Sequence, residues 1–312
     1  MTKRSKRPAL LLLFFFLLAP GLAPDAGRAQ VASQLYQVEK LAPDVYLFSA
    51  YFYSNIFVVT SEGVIATDPI SPLVAGLYMR AIRSVTDKPV RYVIYSHDHT
   101  DHIAGGAVFS ETAKFIAHEN ARTNILERRN PNIVVPDITF KDQYTLELGG
   151  KTLKLMYFGE NHSNSSIGIL LPKERILMLV DMVYPGSVPF RDLPGTNVGK
   201  LLATLERVRI LEFDQLVYGH GPAGSKIWVD KYIAYLNDMI AAAKKSQDEL
   251  SYETLFQQHG RSNARKLLDL SIDDVAQRTV EALRPKYGLW GGYDDWAVLN
   301  AKKVVLHLIM EG

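Results

Sequence analysis

Ser96-His97-Asp98-His99-Thr100-Asp101-His102 places four potential metal ligands, His97, His99, Asp101 and His102, within six residues. It follows Val90-Arg-Tyr-Val-Ile-Tyr95, which reads as a buried strand, and precedes Ile103-Ala-Gly-Gly106. A turn at a strand's end projects alternate residues toward one point, while a following helix aims others from the side. His97 and His99 share a parity and suit one metal; Asp101 and His102 suit a second. Imidazole and carboxylate without thiolate favour Zn²⁺ and tolerate Fe or Mn. Asp98 reads as a solvated spacer, with a contact behind the ligands as the alternative.

Three further candidates follow predicted strands. His162 comes after Thr152–Phe158, Asp181 after the apolar run Ile176–Val180, and His220 after Gln215–Tyr218. Five of the eight histidines thus stand at strand-to-loop junctions, places that scattered core or surface histidines have no reason to choose. His118, His259 and His307 lack such a setting and read as non-ligands.

Around these points the chain alternates short β-rich runs with helical spacing. Val45–Phe48, Asn55–Thr60 and Val64–Thr67 read as strands. Leu73, Leu77, Ala81 and Val85 recur at four-residue intervals and predict a helix that Lys88-Pro89 stops. Lys114–Ala117 is a shorter strand and Asn120–Arg129 a helix. Tyr144–Leu148 and Thr152–Phe158 form a hairpin through Gly149-Gly150, and Ile167–Leu171 and Ile176–Val180 form another. A helix at Val198–Ile210 precedes the last strand. Beyond Gly221-Pro222 the pattern turns helical, over Val229–Ile240, Tyr252–His259, Ile272–Leu283 and Trp296–Ile309.

The series His97-x-His99-x-Asp101-His102, His162, Asp181, His220 resembles the full ligand set of the metallo-β-lactamase superfamily, over roughly residues 45 to 222. The resemblance implies an α/β fold, a four-layer αβ/βα sandwich, with a helical C-terminal extension. The catalytic domain is expected over residues 30–225 and the extension over 226–312. The resemblance also implies two metals in a cleft at one sheet edge. It assigns His97, His99 and His162 to one, and Asp101, His102 and His220 to the other, with Asp181 bridging. Asp68 resembles the family's buried Asp behind the first motif, or is a plain turn residue before Pro69.

The first 29 residues stand apart from that fold. Lys3, Arg4, Lys6 and Arg7 precede an apolar run from Ala9 to Ala19, and a small-residue stretch ends at Ala29. This reads as a secretory signal peptide cleaved near Ala29. The run is about half the ~20 residues a spanning helix needs, so the membrane enters only through the transient leader. Periplasmic or secreted localisation follows. The leader holds five basic groups and one acid, so the formal charge of +2 becomes −2 without it, which disfavours nucleic acid as a partner. With no Cys the protein uses neither disulfides nor a thiol nucleophile. The oligomeric state has no sequence signature.

Two divalent cations some 3.5–4 Å apart activate water at neutral pH and polarise a carbonyl. The expected function is therefore zinc-dependent hydrolysis of an ester, lactone, thioester or amide in a small-molecule substrate, with Asp101 orienting the nucleophile and passing its proton to the leaving group. The acidic residue at 181 resembles the glyoxalase- and lactonase-type ligand set more than that of dedicated β-lactamases. β-Lactam hydrolysis, a two-metal phosphodiesterase and an iron-dependent persulfide dioxygenase-like oxidoreductase are the alternatives. Tyr51, Tyr53, Tyr184, Phe190 and Arg191 line the pocket in this reading; the aromatics alternatively pack the core, and Arg191 is alternatively a surface charge.

Overall fold

In this computed structural model residues 35–260 and 264–311 are described. The expected signal peptide and its expected cleavage site lie outside the described residues. No helix among the described residues is long and apolar enough to cross a membrane.

Two sheets form the centre. Strands β1 (Gln37–Ala42), β2 (Val45–Ala50), β3 (Tyr53–Thr60) and β4 (Gly63–Thr67) make an antiparallel meander. The sheet continues in parallel through β5 (Val90–Ile94), β6 (Lys114–His118) and β7 (Ile138–Phe140). The parallel crossovers carry helix α1 (Pro72–Val85), the single turn α2 (Thr100–Ile103) and helix α3 (Glu119–Arg128). The second sheet runs in the order β13-β12-β11-β10-β9-β8, from β8 (Gln143–Leu148), β9 (Lys151–Tyr157), β10 (Ile167–Leu171), β11 (Ile176–Met178), β12 (Gln215–Val217) and β13 (Gly224–Ser225). Only β11 and β12 pair in parallel there, across helix α4 (Val198–Arg209).

Alternation along the strands makes the layers. Val45, Leu47, Ile56, Val58, Ile65 and Ile94 point inward and meet Leu153, Leu155, Ile167, Ile169 and Met178 of the other sheet. Phe48, Phe57, Ala66 and Val93 point outward, onto Val74, Leu77, Tyr78, Ala81 and Ile82 of α1. That buried stripe differs from the expected one: Leu73 is 65% exposed. Leu77 and Ala81 are buried as expected; Ser71 caps the helix by accepting the Val74 amide and Pro72 opens it, so Leu73 stands in the first turn, on the solvent side.

The outer face of the second sheet, through Leu170, Leu177 and Leu216, packs on α4 and the C-terminal helices α5 (Ile227–Asp248), α7 (Ala264–Tyr287) and α8 (Tyr293–Glu311); α6 (Tyr252–His259) lies between α5 and α7. The result is the expected four-layer sandwich with a helical C-terminal region. Helix α7 is longer than its apolar spacing predicts and continues through Pro285. Strands β1, β7 and β13 carry no distinct sequence pattern; β7 and β13 are three and two residues long.

Candidate metal centre

The proposed ligands leave the two sheets at neighbouring edges. His97, His99 and His102 follow β5, His162 lies between β9 and β10, Asp181 follows β11, and His220 follows β12. Two backbone bonds join these edges: Ile167 N–H donates to Ser96 O at 2.9 Å, and Ser54 N–H to Gly219 O at 2.7 Å. Asp181 has φ +60, uncommon for a residue with a side chain. Gly219 has φ +89, and a Cβ there would lie 2.7 Å from Val180 Cγ1, so glycine lets the His220 loop close onto β11.

Asp181 is the centre of the arrangement. Its Oδ2 lies 3.1 Å from His102 Nε2, 3.5 Å from His162 Nε2 and 3.6 Å from His97 Nε2, while Oδ1 lies 2.7 Å from His220 Nε2. Two donor groups result, His97–His99–His162–Asp181 and His102–Asp181–His220, each with its ligand atoms within 4.8 Å of one another. Asp181 belongs to both. Asp101 belongs to neither: its carboxylate is 56% exposed, 3.7 Å from His102 Nε2, and accepts the Tyr53 hydroxyl at 3.1 Å.

The residues fit cations. His97 Nε2, His102 Nε2 and Asp181 Oδ1 are buried without an aligned hydrogen-bond partner, a costly condition unless something else binds their lone pairs. Burial, with neighbouring imidazoles, holds His97 well below its ordinary range and His162 at about 4. These rings are neutral, as coordination requires. Burial alone would raise Asp181, but His102, His220 and His162 outweigh it and hold the carboxyl well below its usual range.

A supporting layer orients the ligands. Ser96 Oγ lies 2.9 Å from His97 Nδ1, and Thr196 Oγ1 lies 3.4 Å from His162 Nδ1. Asp68, 1% exposed, accepts the Ser96 amide at 2.7 Å through Oδ1, and its Oδ2 lies 3.8 Å from His102 Nδ1. It is a buried support beneath the loop rather than a plain turn residue. Asp98 corrects the spacer expectation: it is 1% exposed, pairs with Arg128 and accepts Ser165 Oγ. Sequence parity turns Asp98 away from the metals but cannot show that a cation waits on the other side.

Of the aromatic candidates, Tyr53 sits edge-on to His102 and 4.9 Å from the His220 ring, and Tyr184 stacks over His220 at 6.2 Å. Phe52, absent from the expected lining, also stacks on His220, at 5.6 Å. Its neighbour Tyr51 is 66% exposed. Phe190 packs edge-to-face on Trp296 at 5.1 Å, and Arg191 is exposed, its carbonyl accepting Asn300 Nδ2. The non-ligand histidines lie elsewhere: His118 stacks on Tyr157, and His307 pairs with Glu311.

A family model for the metallo-beta-lactamase superfamily matches residues 51–220. The 2,4-dinitroanisole O-demethylase subunit alpha of Nocardioides sp. is 32% identical over 172 residues, 54% of this chain and 52% of that subunit; the match therefore spans about half the length of that relative. The beta subunit of the same name is 22% identical over 281 residues, covering 88% of this chain and 82% of its own. Among solved structures, a metallo-beta-lactamase from Pontibacter korlensis aligns with a TM-score of 0.57 at 20% identity, covering 65% of this chain and 99% of that one.

Proposed function

This chain belongs to the metallo-beta-lactamase superfamily, and on that premise we propose that it is an exported hydrolase that uses two zinc ions to cleave an ester, lactone, thioester or amide in a small-molecule substrate. The observation that carries this reading is the shared Asp181 carboxylate, with histidines from three other loops within 3.6 Å of it. His97, His99 and His162 would hold one ion, His102 and His220 the other, and Asp181 both; iron or manganese would accept the same donors. When bound, such ions polarise the scissile carbonyl and supply a water-derived nucleophile at neutral pH.

The chain's own residues do the rest. Asp101 stands at the solvent side of the site, where the Tyr53 hydroxyl fixes its Oδ2, and takes a proton from the nucleophile and hands it to the leaving group. Phe52 and Tyr184 flank His220 with ring faces and offer an apolar wall to an acyl or aryl group. Export rests on the basic and apolar leader of residues 1–29.

A second reading is cleavage of an activated aryl ether. It is favoured by the likeness to both O-demethylase subunits and by the aromatic faces beside His220. Turnover by the zinc-loaded protein of a panel containing lactones, aryl esters, thioesters, cephalosporins, phosphodiesters and 2,4-dinitroanisole separates the readings. Hydrolysis that disappears in His99→Ala and Asp181→Ala, with circular dichroism unchanged, supports the first. Turnover of the ether alone selects the second, and hydrolysis that survives both substitutions overturns the metal-dependent account.

A further inference from the structure

Helix α3 ends in Asn120-Ala-Arg-Thr-Asn124-Ile-Leu-Glu-Arg128. Ala121 and Ile125 are its buried residues. Asn120, Asn124 and Arg128 recur every four residues and share a second face. Such a polar stripe is ordinarily solvated. Here it is spent on two loops of the metal centre.

Asn120 Nδ2 donates to Asn164 O at 2.7 Å, and Asn124 Nδ2 to Asn164 Oδ1 at 2.7 Å. Asn164 lies two residues after His162. One helical turn further on, Arg128 Nη1 donates to Asp98 O at 2.5 Å, and Nη2 bonds Asp98 Oδ2. Asp98 lies between His97 and His99. The two gripped loops are also tied to each other, because Ser165 Oγ donates to Asp98 Oδ1 while the Asp98 amide donates to Ser165 Oγ at 3.2 Å.

We propose that α3 is a positioning element for the cation site, in which Arg128, assisted by Asn120 and Asn124, sets the spacing between the His97–His99 loop and the His162 loop. The inference rests on the metal-site reading above. These three histidines stand on loops, so no strand ladder fixes their separation, whereas coordination tolerates errors of only about 0.2 Å. Arg128 holds both the carbonyl and the carboxylate of one residue, and thereby fixes the backbone from which His97 and His99 project. A planar guanidinium does this in one rigid contact; an ammonium does not. Arg128 also neutralises a carboxylate that is 1% exposed, which would otherwise be buried without a counter-charge. The helix stops directly afterwards, with Arg129 at φ +52, so Arg128 occupies the last turn, where a cation is favoured.

The test is zinc competition against a chromophoric chelator in the full-length chain, which reads affinity without reference to turnover. Arg128→Ala is expected to weaken zinc binding about 10- to 100-fold, Arg128→Lys to recover part of that loss, and Asn124→Ala to show a smaller loss in the same direction. Glu127→Ala, on the exposed side of the same helix, should bind as the unaltered chain does. Circular dichroism and melting of the metal-free proteins report folding; if Arg128→Ala does not fold, Arg128→Lys and Asn124→Ala decide. Lower metal-free stability with unchanged zinc affinity in these variants overturns the proposal and leaves the metal reading intact. An unaltered chain that takes up no zinc overturns both.

Discussion

His102 Nε2 lies 3.1 Å from Asp181 Oδ2, and both side chains are almost wholly buried. Without a cation this is an ion pair. Burial pulls His102 down, but the Asp181, Asp68 and Asp101 carboxylates outweigh it and hold the ring at about 9. A raised folded-state pKa contributes stability that is fully present below the unfolded value of ~6.5 and is lost as pH rises through about 9. His97 and His162 act in the opposite sense: held low, the latter at about 4, they remove stability as pH falls below ~6.5. Asp68, which burial raises to about 6, opposes them on the acid side, so the expected result for chelator-treated protein is a melting temperature that falls between pH 6.5 and about pH 9. A melting temperature that keeps climbing from pH 6.5 to pH 9 contradicts this pairing.

Tyr53→Phe removes the donor that holds Asp101 Oδ2. A hydrogen bond to a charged group contributes roughly 1.5–3 kcal/mol, and this contact is exposed, so the lower figure is the upper bound. The expected result is a fall in kcat of up to about tenfold with KM little changed. A change confined to KM would place Tyr53 in substrate binding instead.

Asp68→Ala leaves the Ser96 amide without its acceptor and His102 Nδ1 without its neighbouring carboxylate. Zinc affinity should drop about 10- to 100-fold, the usual cost of losing an outer support of a ligand. Equilibrium dialysis against a metal buffer measures it. Affinity equal to that of the unaltered chain would reduce Asp68 to a turn residue.

Asn300, 1% exposed on α8, donates to Pro189 O at 3.2 Å and to Arg191 O, and accepts the Tyr235 hydroxyl at 2.9 Å. It ties the C-terminal helices to the segment that carries Phe190. Asn300→Ala leaves buried polar groups unpaired and should cost about 1–3 kcal/mol in denaturant unfolding. A loss below ~0.5 kcal/mol would show that the segment re-pairs without it.

The cluster of His97, His99, His102, His162, Asp181 and His220, which could hold metal, was legible in the sequence because these residues follow apolar runs, whereas Asp101 was read as a ligand and falls in neither donor group. The four layers were legible only through the family resemblance, since alternation alone does not say which sheet faces which. The support around the donors was hidden. Asp98 and Arg128 are thirty residues apart and meet only because β6 and α3 fold back beside β5. Phe52 sits in a turn whose exposure gave it no pattern, yet it stacks on His220. Of the α1 stripe, Leu77 and Ala81 are buried and Leu73 is not, because a strict four-residue spacing drifts off a face of 3.6-residue period.

Elemental analysis of the full-length chain, stripped by chelator and then reloaded with zinc, tests the central claim most directly. About two equivalents per chain are expected for a carboxylate shared by two donor groups, falling to one or none in Asp181→Ala. No uptake by the unaltered chain, or uptake indifferent to Asp181, would contradict it.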